Sequence, residues 1–367
     1  MSWRERLREL VAAGAIVFAT GAGSFLAESP QAFQVGLHIV FFNVGQADAI
    51  AIVAPDGDAA VIDAGLGSSS AAKVAAFLRD SLENGVSTIT DVKLGVVTHY
   101  DLDHVGCFPS FEDEEISFRA VYDQGPSLKR HGDKRYTQYV GWVGDPNDNG
   151  EEDQGEEDYV RRRATVGLRW QLGDATVRVV SVWGDTRGSQ HDLDLDPREE
   201  DIDENPGSIA LLITLGDFEL YTAGDQTSDD WKHEPDAEIG VVRSGVLGDD
   251  NDVDVLKANH HGSDTSNGRE FVQGLDPEVV VSADYRSDYK LPKLVSIKQF
   301  IEAGAIVYVT GDGLAPTGRF AQSSVSEDKG YTPPNGTVFN EVGDVHILVG
   351  RDGTKYRVFG ARAWRQF

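Results

Sequence analysis

The chain has 367 residues, 40% of them hydrophobic and 26% charged, enough apolar material for one large core or two. Its 61 acidic residues outnumber 33 basic ones, and the formal net charge of −28 excludes general polyanion binding unless local cations or bound metal reverse the sign. A single cysteine, Cys107, excludes an internal disulfide and a cysteine-built zinc cluster, so any metal must be held by His, Asp or Glu. The acidity fits either salty surroundings or acidic loops that capture cations. Arg4, Arg6 and Arg8, interspersed with Glu5 and Glu9, precede an uncharged stretch at 11–27 with small residues at Ala22-Gly23-Ser24. Residues 1–34 therefore read either as a signal for export to the cell envelope or exterior, or as a packing helix of a cytoplasmic protein. The stretch is short and glycine-containing for a membrane anchor, and no other segment is apolar enough to cross a bilayer.

Residues 35–367 read as one domain. Short apolar runs at 37–44, 48–53 and 59–62 predict three successive strands, the last two joined through Pro55-Asp56-Gly57. Residues 69–82 have helical spacing at Val74, Phe77, Leu78 and Leu82. A buried strand is expected at 94–98, followed by two acidic stretches, 145–158 and 192–204, which read as exposed loops. Strands at 177–182, 209–215, 218–222 and 253–258 follow. Two more, 279–282 and 306–310, flank a helix at 294–303, and 345–358 closes as a hairpin around Arg351-Asp352-Gly353. Strand runs with helices alternating later suit an α/β (α+β) architecture of two packed sheets with helices outside.

The chemistry concentrates in Thr98-His99-Tyr100-Asp101-Leu102-Asp103-His104, where His99, Asp101, Asp103 and His104 follow an apolar strand. Carboxylates so close repel unless a divalent cation or protons compensate. Three more strand ends carry similar groups: Asp63 in Val61-Ile62-Asp63-Ala64-Gly65, Asp225 in Ala223-Gly224-Asp225, and His260-His261 before Gly262-Ser263. Strand ends on one rim of a sheet can converge, and four such sites favour a metal centre. By contrast His38 alternates with apolar neighbours and reads as a packed strand residue. His131, His191, His233 and His346 have no ligand neighbours at metal-binding spacing and read as surface residues. Asp192-Leu193-Asp194-Leu195-Asp196 lacks the glycine and spaced glutamate of a calcium loop and reads as solvated.

This order of motifs resembles the metallo-β-lactamase superfamily, with its early Asp, its H-x-H-x-D-H turn, a later bridging Asp and a final His. The variant H-x-D-x-D-H and the His-His-Gly-Ser pair are similar to one branch, the hydrolase domain of competence channel proteins of the ComEC/Rec2 type. Phe42-Asn43-Val44-Gly45-Gln46-Ala47-Asp48 and Glu204-Asn205-Pro206-Gly207-Ser208 extend the likeness, which spans roughly residues 36–360. The resemblance implies a four-layer αββα sandwich and two divalent metal ions, Zn²⁺ or Mn²⁺, with the carboxylates tilting the choice to Mn²⁺. It places His99 and Asp101 on one metal and Asp103 and His104 on the other. Asp225 would bridge, His261 (or alternatively His260) would complete the second site, and Asp63 would orient a ligand histidine. The implied reaction is hydrolysis of a phosphoester, as a phosphodiesterase or nuclease-like enzyme, by water that the cations acidify. The implied partner is a small phosphoester or nucleotide rather than long DNA. Hydrolysis of a β-lactam or lactone, and a non-catalytic regulatory protein keeping the fold, are the alternatives.

Two departures stand out. The superfamily's third-motif histidine for the first metal is absent, with Asn205 or a nearby acidic residue in its place. The branch also carries a histidine after a late Tyr, where this chain has Tyr289-Lys290-Leu291. Tyr289, Lys290 and Arg286, together with Lys257, are candidates for contacting an anionic substrate.

Overall fold

The computed structural model describes residues 16–18, 33–127, 130, 132–145, 148, 160–186, 193, 195, 203–230, 235–248, 251–283, 291–311, 331–340, 343–360 and 364–367. The first strands are β1 (Ile16–Phe18), β2 (Phe33–Phe41), β3 (Ala49–Val53), β4 (Ala59–Ala64), β5 (Asp91–Val92), β6 (Leu94–Val96), β7 (Ser117–Phe118), β8 (Val121–Asp123) and β9 (Arg161–Arg163). Next come β10 (Arg169–Leu172), β11 (Ala175–Ser181), β12 (Ala210–Leu215), β13 (Phe218–Thr222), β14 (Val255–Lys257), β15 (Val279–Ser282), β16 (Ile306–Val309) and β17 (Val338–Asn340). The last are β18 (Val345–Gly350), β19 (Tyr356–Phe359) and β20 (Trp364–Gln366). Sheet one runs β20-β19-β18-β2-β3-β4-β6-β8-β9, with β1 parallel against β2; sheet two runs β10 to β17 in sequence order; β5 and β7 pair apart. The backbone of 16–18 is thus extended, not helical, and pairs with the domain's first long strand.

Strand period explains the layers. In β2, Leu37, Ile39 and Phe41 enter the core between the sheets, while Val40 faces the outer layer. In β12, Leu211, Ile213 and Leu215 point inward and Ala210 and Leu212 outward. The outer face of sheet one is covered by α1 (Ser68–Arg79) and α4 (Lys134–Trp142), between which lie the short helices α2 (Ser81–Asn84) and α3 (Leu102–Val105). That of sheet two is covered by α5 (Ala237–Ser244), α6 (Arg269–Leu275) and α7 (Leu294–Glu302). The result is a four-layer αββα sandwich.

Several local expectations change. The helix expected over 69–82 breaks at Asp80, whose extended backbone (φ −82°, ψ 92°) lets its carboxylate accept from the N–H of Leu82 and Glu83 and cap α2. Leu82 consequently ends 56% exposed instead of on the buried stripe. Among the described residues of the acidic stretches, Asp145 and Asp148 pair with the buried Arg161 guanidinium at 2.8 Å, and Glu204 is fully enclosed. Between them, Leu195 packs against the inter-sheet core. His346 is not a surface residue; its Nδ1 lies 3.1 Å from His38 Nε2, edge-on to Phe77, and burial pushes the His38 pKa down to about 3. His131, His191 and His233 lie outside the described residues, as do Arg286, Tyr289 and Lys290. Among the described residues no helix is long and apolar enough to cross a membrane.

Each sheet passes from antiparallel to parallel pairing. β4 and β6 are parallel in sheet one, and β13 and β14 in sheet two. Parallel neighbours end on the same rim, so Asp63 and His99 leave one sheet side by side, and Asp225 and the His260-His261 pair leave the other. The rims meet where the Thr98 carbonyl accepts from the Ile209 N–H at 2.9 Å. Gly224 allows that approach: a Cβ there would lie 2.4 Å from Thr98 Oγ1.

Candidate metal centre

Asp225 sits at the middle of the meeting rims, 2% exposed. Its Oδ1 lies 3.2 Å from His104 Nε2 and 3.6 Å from His261 Nε2. Its Oδ2 lies 3.5 Å from His260 Nε2 and 3.9 Å from His99 Nε2. The carboxylate therefore separates two pairs of histidines, one pair per oxygen. Asp103 Oδ2 joins the first pair at 3.3 Å from His261 Nε2, and Asp101 Oδ2 joins the second at 3.6 Å from His99 Nε2. The structure brings together all seven metal-ligand candidates from the sequence.

The far side of each ring is held separately. Asp63 occupies a β-bulge: Ala49 pairs with Ala64 and Ile50 with Ile62, leaving Asp63 unpaired at φ 52°. The bulge turns its carboxylate onto His104 Nδ1 at 2.8 Å, while it also accepts from the Thr98 N–H at 2.8 Å and hydroxyl at 2.7 Å. Asp48, read in the sequence only as part of a motif, faces His261 Nδ1 at 3.2 Å and pairs with Lys257. Asp48, His104, Asp225 and His261 offer ligand atoms within 4.8 Å of one another, but Asp48 meets the Nδ1 edge, behind the ring that turns Nε2 toward Asp225. Lys257, a candidate for substrate contact, is 2% exposed and spent on Asp48 and the Gly224 carbonyl at 2.9 Å. His99 and His260 are backed by hydroxyls instead: Thr98 Oγ1 is 3.3 Å from His99 Nδ1, and Thr265 Oγ1 is 2.8 Å from His260 Nδ1.

His260 and His261 are both left-handed, at φ 47° and 52°, which is strained for residues bearing a Cβ. Consecutive left-handed residues direct the two rings to opposite oxygens of Asp225. A clasp closes this loop. Glu238 Oε1 accepts from Asn259 Nδ2 at 2.9 Å and the Asn267 N–H at 2.7 Å, and Oε2 accepts from the Gly268 N–H at 2.8 Å. The Asn267 amide exchanges two further bonds with the Asn259 backbone, at 3.0 and 2.9 Å. In the third-motif turn Glu204 binds Ser127 and Arg130, and the Ser208 hydroxyl accepts from the Asp225 N–H at 3.2 Å.

These residues fit a divalent cation. Nε2 of His99, His104 and His261 and Oδ1 of Asp225 are buried without a hydrogen bond, an arrangement that ordinarily costs about 1–3 kcal/mol per group. The charges are mutually dependent. Burial opposes ionisation of Asp225, but His104, His260 and His261 outweigh it and hold the carboxyl well below its usual range. Burial likewise opposes a charge on His261, yet Asp48 and Asp225 raise its pKa to about 10. A cation on the Nε2 atoms would replace such protons as the partner of the carboxylates.

No curated protein sequence matches the chain. Among solved structures it is similar to the metallo-β-lactamase fold protein YhfI from Bacillus subtilis, at 8% identity over 75% of this chain and 96% of that one, with TM-score 0.42. It is also similar to CmlA, a diiron β-hydroxylase from Streptomyces venezuelae, at 15% identity over 66% and 44% of the two chains, with TM-score 0.36. For the Rm3 metallo-β-lactamase the values are 17% identity, 59% and 73% coverage, and TM-score 0.34. The family model described as the metallo-β-lactamase superfamily matches residues 42–283. That segment carries every residue gathered around Asp225, and the chain belongs to the metallo-β-lactamase superfamily.

Proposed function

We propose that the chain is a two-metal phosphoester hydrolase of the competence-protein branch, acting on small diesters or nucleotides in preference to long DNA. The observation that carries this reading is Asp225, whose two oxygens each face a separate pair of imidazoles. One site would comprise Asp103, His104, His261 and Asp225 Oδ1; the other Asp101, His99, His260 and Asp225 Oδ2. His260 thereby takes the place of the missing third-motif histidine. Three aspartates in the donor set favour a hard cation such as Mn²⁺ over Zn²⁺. When bound, two such ions acidify water and stabilise charge developing on phosphoryl oxygens. The protein's own part is positional: Asp63 and Asp48 fix the ring orientations of His104 and His261, and the rim contact at Thr98 and Gly224 fixes their spacing. Leu291, where the branch has a histidine, is an apolar residue only 3% exposed, so it offers no polar group to a substrate.

The preference for small substrates rests on charge. A chain with a formal net charge of −28 repels a polyanion over about 10 Å at roughly 0.1 M salt, whereas a small diester carries one charge into the site. Purified protein should carry more than one cation per chain by elemental analysis, lost in Asp225→Ala. With Mn²⁺ it should hydrolyse bis(p-nitrophenyl) phosphate faster than linear duplex, the duplex activity rising as salt screens repulsion. Absence of metal after supplementation would remove the catalytic reading. Rapid duplex cleavage that falls with salt would replace the small diester by DNA.

A further inference from the structure

Arg130 belongs to no motif, yet it is bonded directly to the centre. Its Nη2 donates to Asp101 Oδ1, and its Nε donates to Glu204 Oε2 at 2.7 Å. Glu204 is 0% exposed and takes its other hydrogen bond from Ser127 Oγ at 2.6 Å. The ligand candidates differ sharply in exposure: side chains of His99, His104 and His261 are closed off, whereas Asp101 is 38% exposed and Asp103 and His260 each 25%. These three mark the mouth, and Arg130, 16% exposed, reaches it at Asp101.

A brace for Asp101 does not account for this arrangement. Asp101 is 38% exposed, and a neutral donor would suffice to orient it. The energetically demanding member is Glu204, because a fully buried carboxylate costs several kcal/mol unless paired. That buried charge fixes a guanidinium, whose planar fork matches phosphoryl oxygens. Among the described residues Arg130 spends two N–H donors, on Asp101 and Glu204, and a guanidinium has more. The other cation bonded to the cluster among the described residues, Lys257, is sealed below it. Among the described residues, Arg130 is thus the cation that an anion meets at the mouth of the centre.

We propose that Arg130 is the anion-recognition residue of the centre, holding a non-bridging phosphoryl oxygen at the mouth beside Asp101 and His260 while Glu204 keeps the guanidinium in place. This assignment rests on the phosphoester reading of the same site. It is tested on metal-loaded protein with Arg130→Ala, Arg130→Lys and the double variant Arg130→Ala/Glu204→Gln, which leaves no stranded buried charge. Calorimetry with inorganic phosphate is the binding readout, with KM and kcat for bis(p-nitrophenyl) phosphate and elemental metal content alongside. The expected result is phosphate affinity weakened, and KM raised, about tenfold or more in both alanine variants, with metal content retained. Lysine should restore only part, since it cannot hold Glu204 and an oxygen in one plane. Loss of one metal with phosphate affinity intact at the metal that remains would overturn the proposal and make Arg130 a brace for Asp101. Phosphate binding that depends on Arg130, in a protein that hydrolyses no diester, would sink the phosphoester reading and leave the recognition role standing. Diester hydrolysis indifferent to Arg130 would do the reverse.

Discussion

The histidines at the centre differ in what stands behind them, and the difference orders the two proposed sites. His104 and His261 have carboxylates at Nδ1, which raise the basicity of Nε2; His99 and His260 have only threonine hydroxyls. Arg130 also draws on one oxygen of Asp101. The site on His104 and His261 should therefore bind cation about 10–100-fold more tightly. Titration should resolve two affinities, with His260→Ala deleting the weaker and Asp63→Asn compressing the gap by weakening the tighter. Two equal affinities in the wild type would contradict this account. At this scale the sequence was informative where ligands are contiguous, as from His99 to His104, because the end of a strand constrains the residues directly after it. It was silent where aim depends on backbone. The division of labour between His260 and His261 comes from two left-handed residues that no pattern marks. Arg130 and Glu204 lie in loops, where their pairing is set only by the fold.

Among the elements, the loop between β14 and α6 is the one whose conformation the histidines need most, and Glu238 on α5 holds it from outside the centre. Burial pushes the Glu238 pKa up to about 8 from an ordinary 4.5. The folded chain thus keeps a proton that the unfolded chain releases, so this group's stabilisation is complete below pH 4.5 and is lost as pH rises through about 8. Glu238→Gln keeps an oxygen for Asn259 and Asn267 but forfeits the bond from Gly268. Chemical denaturation from pH 4.5 to 8 should show wild type losing stability relative to this variant as pH rises. Glu238→Ala should lower Tm throughout and weaken cation binding, because both histidine backbones relax. A constant difference across that range would mean that Glu238 does not titrate there. The strands were legible because their apolar runs are buried on both faces; 218–222 and 279–282 match to the residue. α5 and α6 are short, at eight and seven residues, so their periodicity was too brief to stand out.

Across the whole molecule, the acidic surplus is not all surface. Asp123, Asp145 and Asp148 surround the Arg161 guanidinium beneath Tyr100, and Asp48 and Glu204 are held by Lys257 and Arg130. Reading the acidic stretches as solvated loops missed this, because composition records charge and not its partner.

The join at Thr98, Ile209 and Gly224 has a dynamic consequence. His99, Asp101, Asp103 and His104 arrive from one sheet and Asp225, His260 and His261 from the other, so each cation would act as a rivet through both plates of the sandwich. Breathing of the plates against each other should then be slowed at the rim alone. Amide hydrogen exchange with and without Mn²⁺ should show protection rising at 98–105, 224–226 and 259–263, while β2 and β12, already sealed by the inter-sheet core, stay unchanged. Protection spread evenly over both sheets would mean that the metal tightens the fold globally instead of pinning one edge.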